Sequence, residues 1–176
     1  MLKRLQKLQK IIYLLYYQNT KYNILYTMLY IGADHRGFKL KETLKIYLKE
    51  LNFEFEDLGA KELIPDDDYP DYAILVAKKV AEDPENNRGI LICGSGVGVD
   101  VIANKFKGVR SALLFNAEQA RMSRNDDNPN VLSLSADFTP EDYTKEIVRI
   151  WLETPFSYLE RHVRRIEKIK KIETSI

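Results

Sequence analysis

The run Gly89-Ile90-Leu91-Ile92-Cys93 is apolar without a break and stops abruptly at Gly94-Ser95-Gly96-Val97-Gly98. A half-exposed strand alternates polar and apolar residues. A continuous apolar run of this length is instead a strand buried on both faces, and such strands belong to parallel sheets covered by helices on either side. The sequence from Met28 onward supplies those helices. Leu29-Tyr30-Ile31-Gly32 reads as a first strand, Asp34-His35-Arg36-Gly37 interrupts it, and Leu40, Leu44 and Leu48 return at helical spacing. Residues 53–58 alternate at period two and predict a second strand, and a loop rich in Asp and Pro over 65–70 leads into a helix over 72–81. Beyond the glycine turn the pattern predicts a helix over 99–105, a strand over 111–115, a short helix over 117–124, a strand over 131–134 and a C-terminal helix running to Ile172. Strands alternating with helices imply an α/β domain around an open, mostly parallel five-stranded sheet.

At 176 residues the chain is one ordinary domain with room for a core, and 45% hydrophobic with 30% charged residues is a globular composition. The net charge of +1 hides an asymmetry, because Lys3, Arg4, Lys7, Lys10 and Lys21 fall in a stretch without an acid. What remains is mildly acidic and carries no footprint for nucleic acid. Leu5, Leu8, Ile12 and Leu15 make residues 1–27 a basic amphipathic helix with an apolar run too short to span a bilayer. It is read as an appendage, or as the product of an upstream start with Met28 as the working one, leaving the domain at 28–176. Its removal is expected to preserve activity. A single cysteine rules out an intrachain disulfide and fits a reducing cytoplasm.

Open parallel sheets bind ligands outside the carboxyl ends of their strands. Asp34-His35-Arg36 and Cys93-Gly94-Ser95 both follow strands and are expected on one rim. The alternating glycines let backbone N–H groups approach an anion beside a thiol. They lack the third glycine of a dinucleotide fingerprint and the Gly-Lys-Ser/Thr ending of a P-loop. Read without further context, the same residues also describe a tight turn with Cys93 as a small buried hydrophobe. Arg161 and Arg165, four apart on the last helix, share a face suited to a phosphate or to solvent and pairing with Glu160 and Glu167. With His35 and His162 the only histidines and no cysteine–histidine cluster, no metal site is expected.

Taken together, Gly32-Ala33-Asp34-His35-Arg36-Gly37-Phe38, Asp68-Tyr69-Pro70, the segment from Gly89 to Gly98, Ala103-Asn104-Lys105 and Arg161-His162 resemble the ribose-5-phosphate isomerase type B family, a group that also holds galactose-6-phosphate isomerase subunits. The resemblance implies a Rossmann-like α/β/α sandwich forming a homodimer, or a tetramer, with active sites at the interface and no cofactor. It implies aldose–ketose isomerisation of a sugar phosphate through an enediolate, with Cys93 as the base and Gly94, Gly96, Val97 and Gly98 forming the anion hole. Ser95 falls at the position that handles the ring oxygen, and Asp34 at one that contacts substrate hydroxyls. His35, Arg161 and Arg165 match phosphate ligands, while Tyr69 and Asn104 match pocket residues.

Two positions depart from the family pattern. Ser123-Arg124-Asn125 is followed by Asp126 where the family commonly carries the histidine that opens the furanose ring, with Asp127 beside it as a substrate contact. Histidine transfers protons near neutral pH and a plain aspartate does not. Asp137 stands where several members place an arginine near the phosphate, and it is expected to face away, or the substrate to be held differently. Ribose 5-phosphate and ribulose 5-phosphate are the expected pair; the alternatives are a six-carbon phosphosugar or a catalytically silent phosphosugar-binding domain.

Overall fold

The computed structural model describes residues 28–174, so the helix expected within residues 1–27 lies outside the described residues. Five strands, β1 (Met28–Ala33), β2 (Phe55–Asp57), β3 (Asn87–Cys93), β4 (Ser111–Leu113) and β5 (Val131–Ser135), form one sheet in the order β2-β1-β3-β5-β4. Every pairing is parallel. The connecting helices are α1 (Phe38–Glu50), α2 (Tyr69–Glu82), α3 (Val97–Ala103), α4 (Ala117–Asp126), α5 (Glu141–Glu153) and α6 (Glu160–Thr174).

Alternation along the strands sorts the core into two layers. Ile31, Ile90, Ile92, Leu132 and Leu134 pack on one face with Leu44 and Leu48 of α1 and Ile147, Val148 and Trp151 of α5. Tyr30, Leu91, Cys93 and Val131 pack on the other with Val76 and Val80 of α2 and Val99 and Ala103 of α3. The whole of β3 is buried, as its unbroken apolar run requires. Two strands are shorter than the sequence suggests. Phe53 N–H bonds to the Leu48 carbonyl and closes α1 rather than opening β2. Past Leu113, the Phe115 N–H turns to the Gln119 side chain.

Helix α5 has no counterpart in the sequence reading above. Yet Glu141 and Asp142 follow Pro140 in its first turn, and Thr144, Ile147, Val148 and Trp151 make a buried stripe.

The order of strands sets the place of the site. After β1 the chain crosses to the α1 face, and after β3 to the α3 face, so a crevice opens beyond the carboxyl ends of these two neighbouring strands. Ala33 pairs with Ile92, and the register carries on to set Asp34 beside Cys93.

Candidate functional site

Cys93 ends β3 with its thiol turned to the α2/α3 layer, buried but for 4% of its surface. The chain then reverses through Gly96, whose φ of 77° lies in the left-handed region that a side chain disfavours. This reversal brings the Gly96 N–H back to donate to Cys93 Sγ at 3.1 Å. Ser95 Oγ accepts from the Val97 N–H at 3.3 Å and tightens the same turn. The turn feeds directly into α3, whose first N–H groups have no acceptor within the helix. Tyr69, the first residue of α2, lies over Gly98 so closely that a Cβ there would come within 2.6 Å of its ring. A thiol, a tight arc of N–H groups and an aromatic wall therefore share one small volume. Such an arc stabilises negative charge developing on a bound oxygen.

From β1, Asp34 is buried and its Oδ1 accepts the Gly37 N–H at 2.9 Å. Burial raises its pKa, and the Gly37 hydrogen bond works against that. His35 stands at the rim. Its backbone N–H donates to Asp67 Oδ1 at 2.7 Å, and its ring Nδ1 meets the same oxygen at 2.8 Å. The Asp67 hydrogen bond raises the imidazole above its ordinary pKa, with Asp34 adding to the effect. Burial would raise Asp67, but the His35 hydrogen bonds outweigh it and hold this carboxyl below the usual range. Tyr72, facing Asp67, has its phenol pushed up to about 12. Asp137 does not face away as expected: its Oδ2 lies against Gly94 of the turn, where its charge is paired with Arg36, whose guanidinium lies against the same glycine.

The other expected site residues lie elsewhere. Helix α4 leaves the carboxyl edge of the sheet after β4 and runs back for ten residues, about 15 Å, so Asp126 at its end sits at the amino edge. Asp126 Oδ1 accepts from Asn125 Nδ2 at 2.6 Å and lies 3.6 Å from His162 Nδ1. His162, the third residue of α6, is buried; its Nδ1 meets Ser157 Oγ at 2.7 Å and Arg161 Nε donates to its Nε2 at 2.9 Å. With Nε2 accepting, the ring hydrogen is assigned to Nδ1, facing Ser157 and Asp126. So the aspartate at the family's histidine position has a histidine beside it after all, supplied by the last helix. Arg161 and Arg165 are exposed, and Glu167 pairs with Lys170 instead of an arginine. Among the described residues neither arginine makes an ion pair.

Asn104 and Asp127 share an open groove of about 840 Å³ at this amino edge with Lys105, Arg110 and Ile169. Asn104 is committed to the fold: its Oδ1 accepts the Ser111 N–H at 2.9 Å and its Nδ2 donates to the Ser111 and Asp100 carbonyls at 3.1 and 3.0 Å. Asp127 closes α4, its N–H bonded to the Ser123 carbonyl. Within one chain the structure thus gathers Asp34, His35, Tyr69, Cys93, Ser95 and the glycine turn at one edge, and Asp126, Asp127, Arg161 and Arg165 at the other. Among the described residues no three His, Cys, Asp or Glu side chains are grouped to hold a metal ion, and no helix is long and apolar enough to cross a membrane.

Comparison with known proteins identifies the family. The Ribose/Galactose Isomerase family matches residues 29–169. The probable ribose-5-phosphate isomerase B of Mycoplasma genitalium is 43% identical over 145 residues, covering 82% of this chain and 95% of that protein. The ribose-5-phosphate isomerase B of Mycobacterium tuberculosis is 35% identical over 144 residues, covering 82% and 88%. A crystal structure of the Mycoplasma genitalium ribose-5-phosphate isomerase B with bound ribulose-5-phosphate superposes with a TM-score of 0.82 at 42% identity, covering 85% of this chain and 97% of that one. Matched over residues 29–169 and by relatives of this identity and coverage, this chain belongs to the ribose/galactose isomerase family.

Proposed function

We propose that the protein is a cofactor-independent aldose–ketose isomerase that interconverts ribose 5-phosphate and ribulose 5-phosphate. The observation that carries this reading is the Cys93 thiol at the β1/β3 crevice, bonded by the Gly96 N–H, with Asp34 following the neighbouring strand. In the forward direction the Cys93 thiolate takes the proton from C2 of the opened aldose, and the electron pair left behind forms the C1–C2 double bond of an enediolate. Charge gathers on O1, where the N–H groups of the turn meet it. The proton of O2 passes to O1, O2 becomes the ketone oxygen, and the thiol returns its proton to C1. Asp34 holds the substrate hydroxyls, and His35 takes the phosphate with the arginines.

The protein acts as a homodimer. Arg161, Arg165 and the Asp126–His162 pair are at the wrong edge to serve Cys93 of their own chain, while a two-fold axis brings the amino edge of one subunit to the carboxyl edge of the next. Val97 and Val101 of α3, Phe115, and Met122 of α4 are large apolar residues each exposed by more than 40%, and they lie at the free β4 side of the sheet, where a second copy would cover them. The composite site then has a histidine–aspartate pair for opening the furanose ring. A reducing cytoplasm suits both the free thiol and a phosphorylated substrate.

The test is a solvent-deuterium exchange screen of the purified chain over ribose, allose and galactose phosphates. Deuterium entering ribose 5-phosphate at C2, and its ketose at C1, supports the reading. Exchange confined to a six-carbon phosphate moves the substrate assignment, and binding without any exchange makes the chain a silent phosphosugar-binding domain.

A further inference from the structure

Asp67 stands 32 residues from His35 and outside every motif that ties the chain to its family. A single one of its oxygens nevertheless accepts both the backbone N–H and the ring Nδ1 of His35, at 2.7 and 2.8 Å. The carboxylate is the buried partner, 8% exposed against 28% for the imidazole. Holding main chain and ring from the same atom fixes the rotamer of His35. It also settles the tautomer, since an acceptor against Nδ1 requires the ring hydrogen there. Nδ1 carries the ring's hydrogen bonds, which leaves Nε2 for a ligand.

The geometry points to Asp67 as a positioning residue for phosphate: it holds the Nδ1 edge of His35 so that a cationic imidazole presents Nε2–H to the phosphoryl group. This rests on the isomerase reading above for the identity of the anion, but the dyad itself does not. The groups facing His35 are Asp34 from the end of β1, Asp67 from the loop before α2, and Tyr72 and Asp71 of α2 behind Asp67; its neighbour Arg36 is taken up by Asp137. Tyr72 acts on the carboxylate rather than on the ring, and Asp67 Oδ2 itself has no hydrogen-bond partner among the described residues. A merely structural pin would work as well with an amide as with a carboxylate, because an amide oxygen accepts the same two hydrogen bonds. Only the charge distinguishes the two roles.

Asp67→Asn is therefore the informative variant. The chain has two histidines, so a titration of their ring C–H signals by NMR, assigned with His35→Asn, reads His35 directly and needs no turnover. In Asp67→Asn the His35 pKa is expected to fall by about one unit or more, while Asp34 keeps part of the original shift. With ribose 5-phosphate, KM rises about tenfold near pH 7.5 with kcat within about twofold, and the gap closes below about pH 5.5, where both imidazoles are charged. The phosphate's own titration is common to both proteins and cancels in the ratio. Inorganic phosphate should perturb the His35 signal in the wild type and do so more weakly in the variant at pH 7.5. An unmoved His35 titration overturns the proposal, and so does a KM defect of equal size at every pH. If the wild type turns over no sugar phosphate, the isomerase reading fails, while the NMR titrations still decide the dyad and its anion.

Discussion

The two edges of the sheet, to which the proposed reading assigns two halves of one chemistry, are built differently. At the carboxyl edge the working parts are mostly backbone: an N–H 3.1 Å from a sulfur, a left-handed glycine, the start of a helix, and a rim histidine tied by main chain and ring to one carboxylate. At the amino edge they are long side chains on a helix whose own burial is slight, with only His162 and Ile166 of α6 buried. The first half is held by the fold itself, because β1, β3, α1 and α3 all converge on it. Among the described residues the arginines of the second half are exposed and without carboxylate partners, and α6 is anchored at its start through His162 and Ser157. Stabilising an enediolate needs donors fixed to within tenths of an ångström, which backbone in a packed turn provides. Gripping a phosphate tolerates more freedom. On the proposed reading the division of labour between the edges follows from that difference, and a second subunit completes it.

The comparison breaks first at the thiol. Cys93→Ala should lower kcat by about a thousandfold or more while leaving KM for ribose 5-phosphate within a few-fold, as expected when a general base is lost and the anion contacts remain. Steady-state kinetics checks this, and wild-type turnover would remove the thiol from the mechanism. Next, Cys93→Ala damages only the carboxyl half and Arg161→Ala only the amino half. Mixing the two under conditions that exchange subunits should restore about a quarter of wild-type activity, since half the dimers then carry one intact site. No recovery in verified mixed dimers would mean that both halves serve the same chain's site.

Smaller effects separate the two arginines. Arg165→Ala should raise KM by about tenfold with kcat nearly kept, the signature of lost phosphate contact. Arg161 also donates to His162 Nε2, so Arg161→Ala should lower kcat as well as raise KM. If both variants show the same ratio of effects, His162 takes no part in proton transfer.

Much of this was legible in the sequence, and unevenly so. The unbroken apolar run of β3 announced the parallel sheet, and the alternating glycines behind Cys93 announced a turn where backbone meets a ligand. Both signals are local, carried by residues adjacent in the chain. The links that finish each half are not. Asp67 and His35 are 32 residues apart, Asp126 and His162 are 36 apart, and neither pair has a spacing that periodicity can report. The separation of the halves was within reach: a helix that follows a strand in a parallel sheet must run back, so Asp126 at the end of α4 belongs at the edge opposite Cys93. Helix α5 shows the reverse failure. Its start signals and buried stripe are plain in the sequence, although no candidate functional residue lies within it. The two short strands ended early because Phe53 and Phe115 found other hydrogen-bond partners at their margins.

Asn104 gives the smallest test and a direct one, because family position and geometry assign it different work. Its motif matches a pocket residue, but its amide spans the end of α3 and the first residue of β4 through three hydrogen bonds of 2.9 to 3.1 Å. β4 is an edge strand of three residues with β5 as its one neighbour in the sheet, so this side chain acts as an extra rung holding the ladder's start. Removing it leaves backbone groups that water can still reach at this exposed corner, which limits the loss. Asn104→Ala should therefore cost about 1–2 kcal/mol, lowering Tm by about 2–8 °C, with KM unchanged. A rise in KM at constant Tm would turn the amide toward the substrate and give the amino edge a rigid contact of its own, weakening the contrast between a backbone-built half and a side-chain-built one.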